Sequence, residues 1–351
     1  MLADLLANAL SRTGRLARSG RLMEASAAIQ RALRGTPVRF AAERPAASTA
    51  AAETLVERVE PEQQAIAPAQ FLAGSHAEGS ARRSYKLFVP AGFAGQRLPL
   101  IVMLHGCTQD PDDFAAGTRM NEAAQALGML VLYPAQAPRS NASKCWNWFQ
   151  PGDQRRGQGE PELLAGMTRS IVQTHRVDPD RVYVAGLSAG GAMAVILARE
   201  YPDIFAAVGV HSGLPQGAAH DIASAFAAMK GGAAPLPARE GSGSGVPAIV
   251  FHGDADTTVH PGNGAQVIAD LLQAGGASVA TERGVAAGRG FTRAVHRDAA
   301  GLSRAELWQI EGAGHAWSGG SASGSYTDAR GPDATREMLR FFLEHRQRGR
   351  N

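Results

Sequence analysis

Ser188 lies between glycines at fixed spacing, in Gly186-Leu187-Ser188-Ala189-Gly190-Gly191, after the apolar run Val182-Tyr183-Val184-Ala185 and before a helical segment. A strand, a strained turn and a helix in that order form a nucleophile elbow, which presents a serine hydroxyl at the turn. Glycines two residues before and two after the serine are required because Cβ atoms there would meet the neighbouring strand and helix. A serine hydroxyl is a weak nucleophile, so it needs a histidine as base and an acid that fixes the imidazole tautomer. Such a set performs acyl transfer through a covalent intermediate and needs no metal ion or organic cofactor.

Elbows of this kind take their partners in the chain order Ser, then Asp or Glu, then His. Downstream of Ser188, Ile249-Val250-Phe251-His252-Gly253-Asp254-Ala255-Asp256-Thr257-Thr258-Val259 reads as a strand running into a turn with two acids. The spacing places Asp256 past the strand end, within reach of a histidine; Asp254 is the alternative acid, or else caps the turn. Of the ten histidines, His260, His296, His315 and His345 follow Asp256. His260 is too close to the acid in sequence, His296 lies inside a β-rich run and His345 is near the C-terminal end. His315, in Gly312-Ala313-Gly314-His315-Ala316-Trp317 after the run Leu307 to Ile310, is the expected base.

The tetrahedral intermediate needs hydrogen-bond donors for its oxyanion. One is expected from the N–H of Ala189, directly after the nucleophile, and the other from the loop Leu104-His105-Gly106-Cys107-Thr108-Gln109, with Cys107 ahead of Thr108. Cys107 and Cys145 are the two cysteines of the chain. They are either reduced thiols of a cytosolic protein or one bridge of an exported one. Lys144-Cys145-Trp146-Asn147-Trp148-Phe149 places three aromatics beside the second cysteine. These either cover a sheet edge or, with Trp317, wall an acyl site, and a Cys107–Cys145 bridge would bring them to the oxyanion loop.

The elements that must position these residues begin near residue 68, where short β-rich runs alternate with helical segments. Strands are predicted at Phe71–Ser75, Tyr85–Val89, Leu100–His105, Leu130–Tyr133, Val182–Ala185, Ala207–His211, Ala248–His252 and Leu307–Ile310. Helices are predicted at Asp112–Leu127, Glu160–His175, Ala189–Glu200, Gly264–Ala274 and Pro332–His345. Continuous apolar strands alternating with helices predict an α/β domain over residues 69–347 with a mostly parallel sheet covered on both faces. The stretch Gly231–Gly245, small and polar, reads as a surface insertion. Ahead of this domain, Leu2, Leu5, Leu6, Ala9 and Leu10, then Leu22, Ala25, Ile29 and Leu33, fall at helical spacing, which predicts a helical hairpin over residues 1–35. Residues 36–68, rich in Ala, Pro and Glu, read as a linker.

With 351 residues, 44% hydrophobic and 19% charged, the chain has the composition of a globular protein with one catalytic-size core and an appendage. Its longest apolar runs are about seven residues, too short for a transmembrane helix. The net charge of +3 is uneven: residues 1–40 carry seven arginines against Asp4 and Glu24, net +5, and the remainder is net −2. A body without excess positive charge argues against nucleic-acid binding. The first ten residues place an acid where a signal peptide needs Lys or Arg, and Arg12 cuts the apolar stretch short, so the N-terminus reads as uncleaved and the location as cytoplasmic.

Together these pieces resemble the esterase family of poly(3-hydroxybutyrate) depolymerases with a type I catalytic domain. The resemblance rests on Leu104-His105-Gly106-Cys107-Thr108-Gln109, Cys145-Trp146-Asn147-Trp148, Gly186-Leu187-Ser188-Ala189-Gly190-Gly191, His252-Gly253-Asp254-Ala255-Asp256-Thr257-Thr258-Val259 and Gly314-His315-Ala316-Trp317, and it runs from about residue 70 to about residue 345. It implies an α/β-hydrolase fold, hydrolysis of short-chain hydroxyalkanoate esters, a triad of Ser188, Asp256 and His315, and oxyanion donors at Cys107 and Ala189. Secreted members carry a signal peptide and a C-terminal polymer-binding module. This sequence is more similar to the signal-less members that act on intracellular granules, which implies granule association with residues 1–35 as the docking segment; export by a route not visible in the sequence is the alternative. Feruloyl and acetylxylan esterases belong to the same neighbourhood and supply the alternative substrate, a small or polysaccharide-linked ester. A non-catalytic granule-surface protein is the second alternative, against which the intact Ser, Asp and His set stands.

Overall fold

Strand burial decides the centre of this fold. In the computed structural model, which describes residues 67–79, 81–231, 245–272 and 278–347, Leu100–Leu104, Val182–Leu187, Ala207–His211 and Ala248–Gly253 are buried along their whole length. Leu100, Val102 and Leu104 enter one apolar layer while Ile101 and Met103 enter the other, and Val182 and Val184 divide from Tyr183 and Ala185 in the same way. A period of two with both faces apolar requires cover on both sides of the sheet.

The elements follow in the order β1 (Gln70–Glu78), β2 (Ala81–Val89), β3 (Leu100–Leu104), α1 (Pro111–Thr118), α2 (Met120–Leu127), β4 (Leu130–Pro134), α3 (Gly159–Thr174), β5 (Val182–Leu187), α4 (Ala189–Glu200), β6 (Ala207–His211), α5 (Ile222–Gly231), β7 (Ala248–Gly253), α6 (Gly262–Leu271), β8 (Ser278–Ala286), β9 (Arg289–Arg297), β10 (Ser303–Ile310), β11 (Trp317–Ser318), β12 (Thr327–Asp328) and α7 (Ala334–Leu343). Ten strands form one sheet in the order β1-β2-β4-β3-β5-β6-β7-β10-β9-β8. The six from β4 to β10 in that order pair in parallel. Antiparallel strands close both edges, β1 and β2 on one side and β9 and β8 on the other. Phe114 of α1, Met120 of α2 and Met338, Phe341 and Phe342 of α7 build one core layer, and Leu164 of α3, Met193 of α4 and Val267 of α6 build the other. Each fully buried side chain of this size contributes about 1.5–3 kcal/mol. Parallel strands joined by crossover helices all end on one edge, where open α/β sheets bind ligands.

The eight predicted strands are all present, and the mostly parallel sheet with helices on both faces is the α/β-hydrolase architecture. The predicted helix Asp112–Leu127 is two helices, because Arg119 takes a left-handed conformation (φ 54°) and turns the chain between α1 and α2. Strands β8, β11 and β12 and helix α5 add to the predicted set, and the β-rich run around His296 is strand β9. The β8–β9 hairpin turns through Ala287 and Gly288, both at positive φ, the geometry that matches hairpin twist. The helical hairpin expected over residues 1–35 lies outside the described residues, as do nearly all of the linker 36–68 and most of the Gly231–Gly245 stretch.

Candidate active site

Strand β5 delivers Ser188 to the carboxyl edge of the sheet. Its backbone (φ 58°, ψ −120°) lies in a region that non-glycine residues rarely occupy, the mark of a strained turn held by its surroundings. The two flanking glycines are obligatory: a Cβ on Gly186 would fall on the Gly190 peptide of α4, and one on Gly190 would fall on the Leu104 carbonyl of β3. Ser188 N–H donates to the His211 carbonyl at 2.9 Å, which fixes the elbow to the end of β6.

Asp256 and His315 are brought together from loops after β7 and β10, adjacent parallel strands. Nδ1–H of His315 donates to Asp256 Oδ2 at 2.7 Å. Since a carboxylate only accepts, this contact fixes the tautomer and leaves Nε2 as the basic nitrogen. Asp256 Oδ1 accepts the N–H groups of Thr258 and Val259, each at 2.9 Å. His252 Nε2–H donates to the Val259 carbonyl at 2.9 Å and faces Asp256 Oδ2 at 3.5 Å. Burial by itself would raise the Asp256 pKa, but hydrogen bonds from His252 and His315, the positive charge of His315 and the Val259 N–H hold its carboxyl far below the ordinary carboxylate range. Asp254 is exposed, and its Oδ1 accepts the Gly312 N–H at 2.6 Å, tying the β7 turn to the loop that carries His315. Neither Ser188 Oγ nor His315 Nε2 has a hydrogen-bond partner among the described residues. Catalytic contacts of this kind often close only in the substrate complex.

The other histidines after Asp256 occupy structural positions. His260 Nδ1 accepts the Gly262 N–H, His296 lies within β9, and His345 is buried between the carbonyls of Phe341 and Ser303. His211, which precedes Asp256 and so falls outside the expected order, joins the elbow to the His315 loop. Its Nε2 accepts the Ser318 N–H at 3.1 Å, its ring stacks on Trp317 and Phe251, and its carbonyl holds Ser188. Burial, aided by the charges of nearby His252 and His315, lowers its pKa to about 3, so it stays neutral and acts as a spacer. The one signal of this role in the sequence is its place at the end of an apolar strand.

On the other side of the elbow, Cys107 N–H and Ala189 N–H have no acceptor among the described residues. The N–H of Thr108 donates to the Ser143 carbonyl at 2.7 Å, which removes Thr108 as an alternative donor. Cys107 and Cys145 form a disulfide, 38 residues apart in sequence. Glu160, which no motif singled out, anchors the loop beyond this bridge. Its buried carboxylate accepts Gln136 Nε2–H at 2.5 Å, Asn147 N–H at 2.8 Å and Arg83 Nη2–H at 3.1 Å.

The aromatic wall expected from three tryptophans is not there. Trp146 (0% exposed), Trp148 (6%) and Trp317 (1%) are core residues. The Trp146 indole N–H donates to the His105 carbonyl and that of Trp317 to Thr335 Oγ1. Their number and proximity to the motifs reflect packing beneath the loops, because large rings satisfy a core's need for buried area before they serve a site.

An elbow serine, a hydrogen-bonded aspartate and histidine, and unengaged N–H groups at the carboxyl edge of a parallel sheet are the features of a serine α/β-hydrolase site. A solved acetyl xylan esterase from Aspergillus awamori has this fold, with a TM-score of 0.61 over 78% of this chain and 99% of that one, at 18% identity. The family model described as esterase PHB depolymerase matches residues 83–294, and the chain belongs to that family of carboxylic ester hydrolases. It is similar to poly(3-hydroxyalkanoate) depolymerase C of Paucimonas lemoignei, 36% identical over 241 residues, which are 65% of this chain and 56% of that protein. It is also similar to feruloyl esterase B of Thermothelomyces thermophilus, 36% identical over 128 residues, 36% of this chain and 43% of that one. The chain thus spans about half the length of the curated relatives it matches.

Proposed function

We propose that this chain hydrolyses short-chain poly(3-hydroxyalkanoate), poly(3-hydroxybutyrate) above all, and related short-chain esters through an acyl-enzyme. The observation that carries the reading is the 2.7 Å contact between His315 Nδ1 and Asp256 Oδ2, set beside an elbow serine with a strained backbone. Ser188 Oγ attacks the ester carbonyl while His315 Nε2 takes its proton and passes it to the leaving alcohol. Asp256 holds the tautomer and stabilises the imidazolium. Cys107 N–H and Ala189 N–H receive the oxyanion, a contribution of about 3–4 kcal/mol per donor. Water then repeats the cycle on the acyl-enzyme and releases a hydroxy acid.

The polyester substrate is supported by the longer of the two similarities, to a protein named a poly(3-hydroxyalkanoate) depolymerase. The second reading, a feruloyl or acetylxylan type of esterase, is supported by equal identity over a shorter segment. Within the proposed organisation, residues 69–347 are the catalytic domain, 36–68 a linker and 1–35 a segment docking to polymer granules. No helix among the described residues is long and apolar enough to cross a membrane. The Cys107–Cys145 bridge weighs for the alternative location, export, since disulfides persist in oxidising compartments.

One experiment separates these readings: product release from amorphous poly(3-hydroxybutyrate) and from methyl ferulate, measured on the full chain and on a chain without residues 1–35. The expected result is faster release from the polyester, with the shortened chain losing polymer association and keeping small-ester activity. Faster release from methyl ferulate would replace the polyester reading with the second one.

A further inference from the structure

Tyr326 is an exposed aromatic (46% exposed) held between the two loops that the proposed chemistry uses. Its carbonyl accepts the N–H of Trp317 at 2.7 Å, two residues beyond His315. Its hydroxyl lies 3.2 Å from Thr108 Oγ1, next to Cys107. The direction of that bond follows from the neighbouring one: Thr108 O–H donates to the Cys107 carbonyl at 2.6 Å, so the single proton of Thr108 is engaged and Tyr326 must donate. The residue therefore links the two loops, its backbone holding the His315 loop and its hydroxyl the Thr108 loop.

This position is built rather than incidental. Tyr326 has φ 51°, a left-handed conformation that costs a bulky residue free energy and persists only where the surroundings impose it. Next to it, Ser325 N–H and Oγ–H both donate to the Asp113 carboxylate, at 2.8 and 2.6 Å. Gln109 Nε2–H donates to the Ser325 carbonyl at 3.1 Å, and Ser321 N–H to the Gly117 carbonyl at 2.8 Å. The segment is thereby clamped to α1, with the Tyr326 side chain left partly exposed beside the Thr108 loop. A rigid, half-exposed ring gives apolar contact area at low conformational cost.

Resting on the ester-hydrolase reading, we propose that Tyr326 is a specificity-determining residue whose ring is the apolar surface that packs against the acyl chain of the substrate. It takes the role that the buried tryptophans cannot. The ring acts on the apolar chain and its hydroxyl on the Thr108 loop, so the two parts of the side chain have separable effects.

The test uses the full chain with Tyr326→Asn, which tolerates positive φ but lacks the ring, and with Tyr326→Phe, which keeps the ring. Steady-state rates are measured on p-nitrophenyl acetate, butyrate and hexanoate, with circular dichroism on each variant. Tyr326→Asn is expected to lose roughly tenfold in kcat/KM on butyrate and hexanoate, mainly through KM, and much less on acetate. Tyr326→Phe is expected to keep the wild-type ratios between the three esters. Loss by one common factor in Tyr326→Asn, or unchanged ratios, overturns the proposal while leaving the hydrolase reading intact. A wild-type chain inactive on all three esters overturns the hydrolase reading and this proposal with it.

Discussion

Asp256 connects three tasks in one side chain: it orients His315, faces His252 and caps its own turn through Thr258 and Val259. Asp254, two residues away, accepts one N–H from the His315 loop and is exposed to water. Their substitutions are therefore expected to separate. Asp256→Asn lowers kcat by on the order of 10^4, because an amide in place of the carboxylate favours the wrong imidazole tautomer. Asp254→Asn costs far less, and kcat values for the two variants on p-nitrophenyl butyrate check the ranking. The depressed pKa of Asp256 also has a consequence for stability. A carboxyl held below its unfolded value of 3.8 contributes stability that is complete above about pH 4 and is lost as pH falls towards the folded value. Thermal unfolding of wild type is accordingly expected to weaken below about pH 4, and Asp256→Asn to flatten that acid limb; an equally steep limb in the variant contradicts this role.

At the scale of elements, adjacent strand ends do the positioning. Strands β5, β6 and β7 lie side by side with β10 next to β7, so Ser188, His211, Asp256 and His315 leave the sheet on one edge. The Cys107–Cys145 bridge then ties the oxyanion loop after β3 to the loop after β4. Closing a loop of 38 residues is worth about 4 kcal/mol in the chain-entropy account. The Cys107→Ser, Cys145→Ser double variant is thus expected to unfold at lower urea concentration, with kcat reduced more than KM is raised. Equal stability with and without the cysteines would mean that the bridge contributes nothing. Much of this arrangement was legible in the sequence because it is local: the elbow, the acid turn and the His315 loop each need special residues next to a strand end. Less local features were not. Strand β8 is largely exposed and carries no apolar run, and the break between α1 and α2 depends on one residue at positive φ. The Tyr326 hydroxyl and the Glu160 carboxylate reach partners 218 and 13 residues away, and nothing in a linear pattern marks such pairs. The tryptophans misled for a related reason, since the sequence displays ring content but not which side of a loop the rings face.

For the whole molecule, the charge distribution separates two parts. The mild basicity of the chain belongs to its first forty residues, and the rest is net −2, so the catalytic body has no general attraction for polyanions. A body with little net charge and an ester-hydrolase fold suits a neutral polyester or ester substrate. The central claim is that Ser188 is the nucleophile of an ester hydrolase. Its most direct test is hydrolysis of p-nitrophenyl butyrate by wild type and Ser188→Ala, with circular dichroism to confirm that both are folded. Activity is expected in wild type, with a loss on the order of 10^4 or more in the variant at unchanged fold; a folded Ser188→Ala that retains wild-type hydrolysis would contradict the assignment of Ser188 as nucleophile.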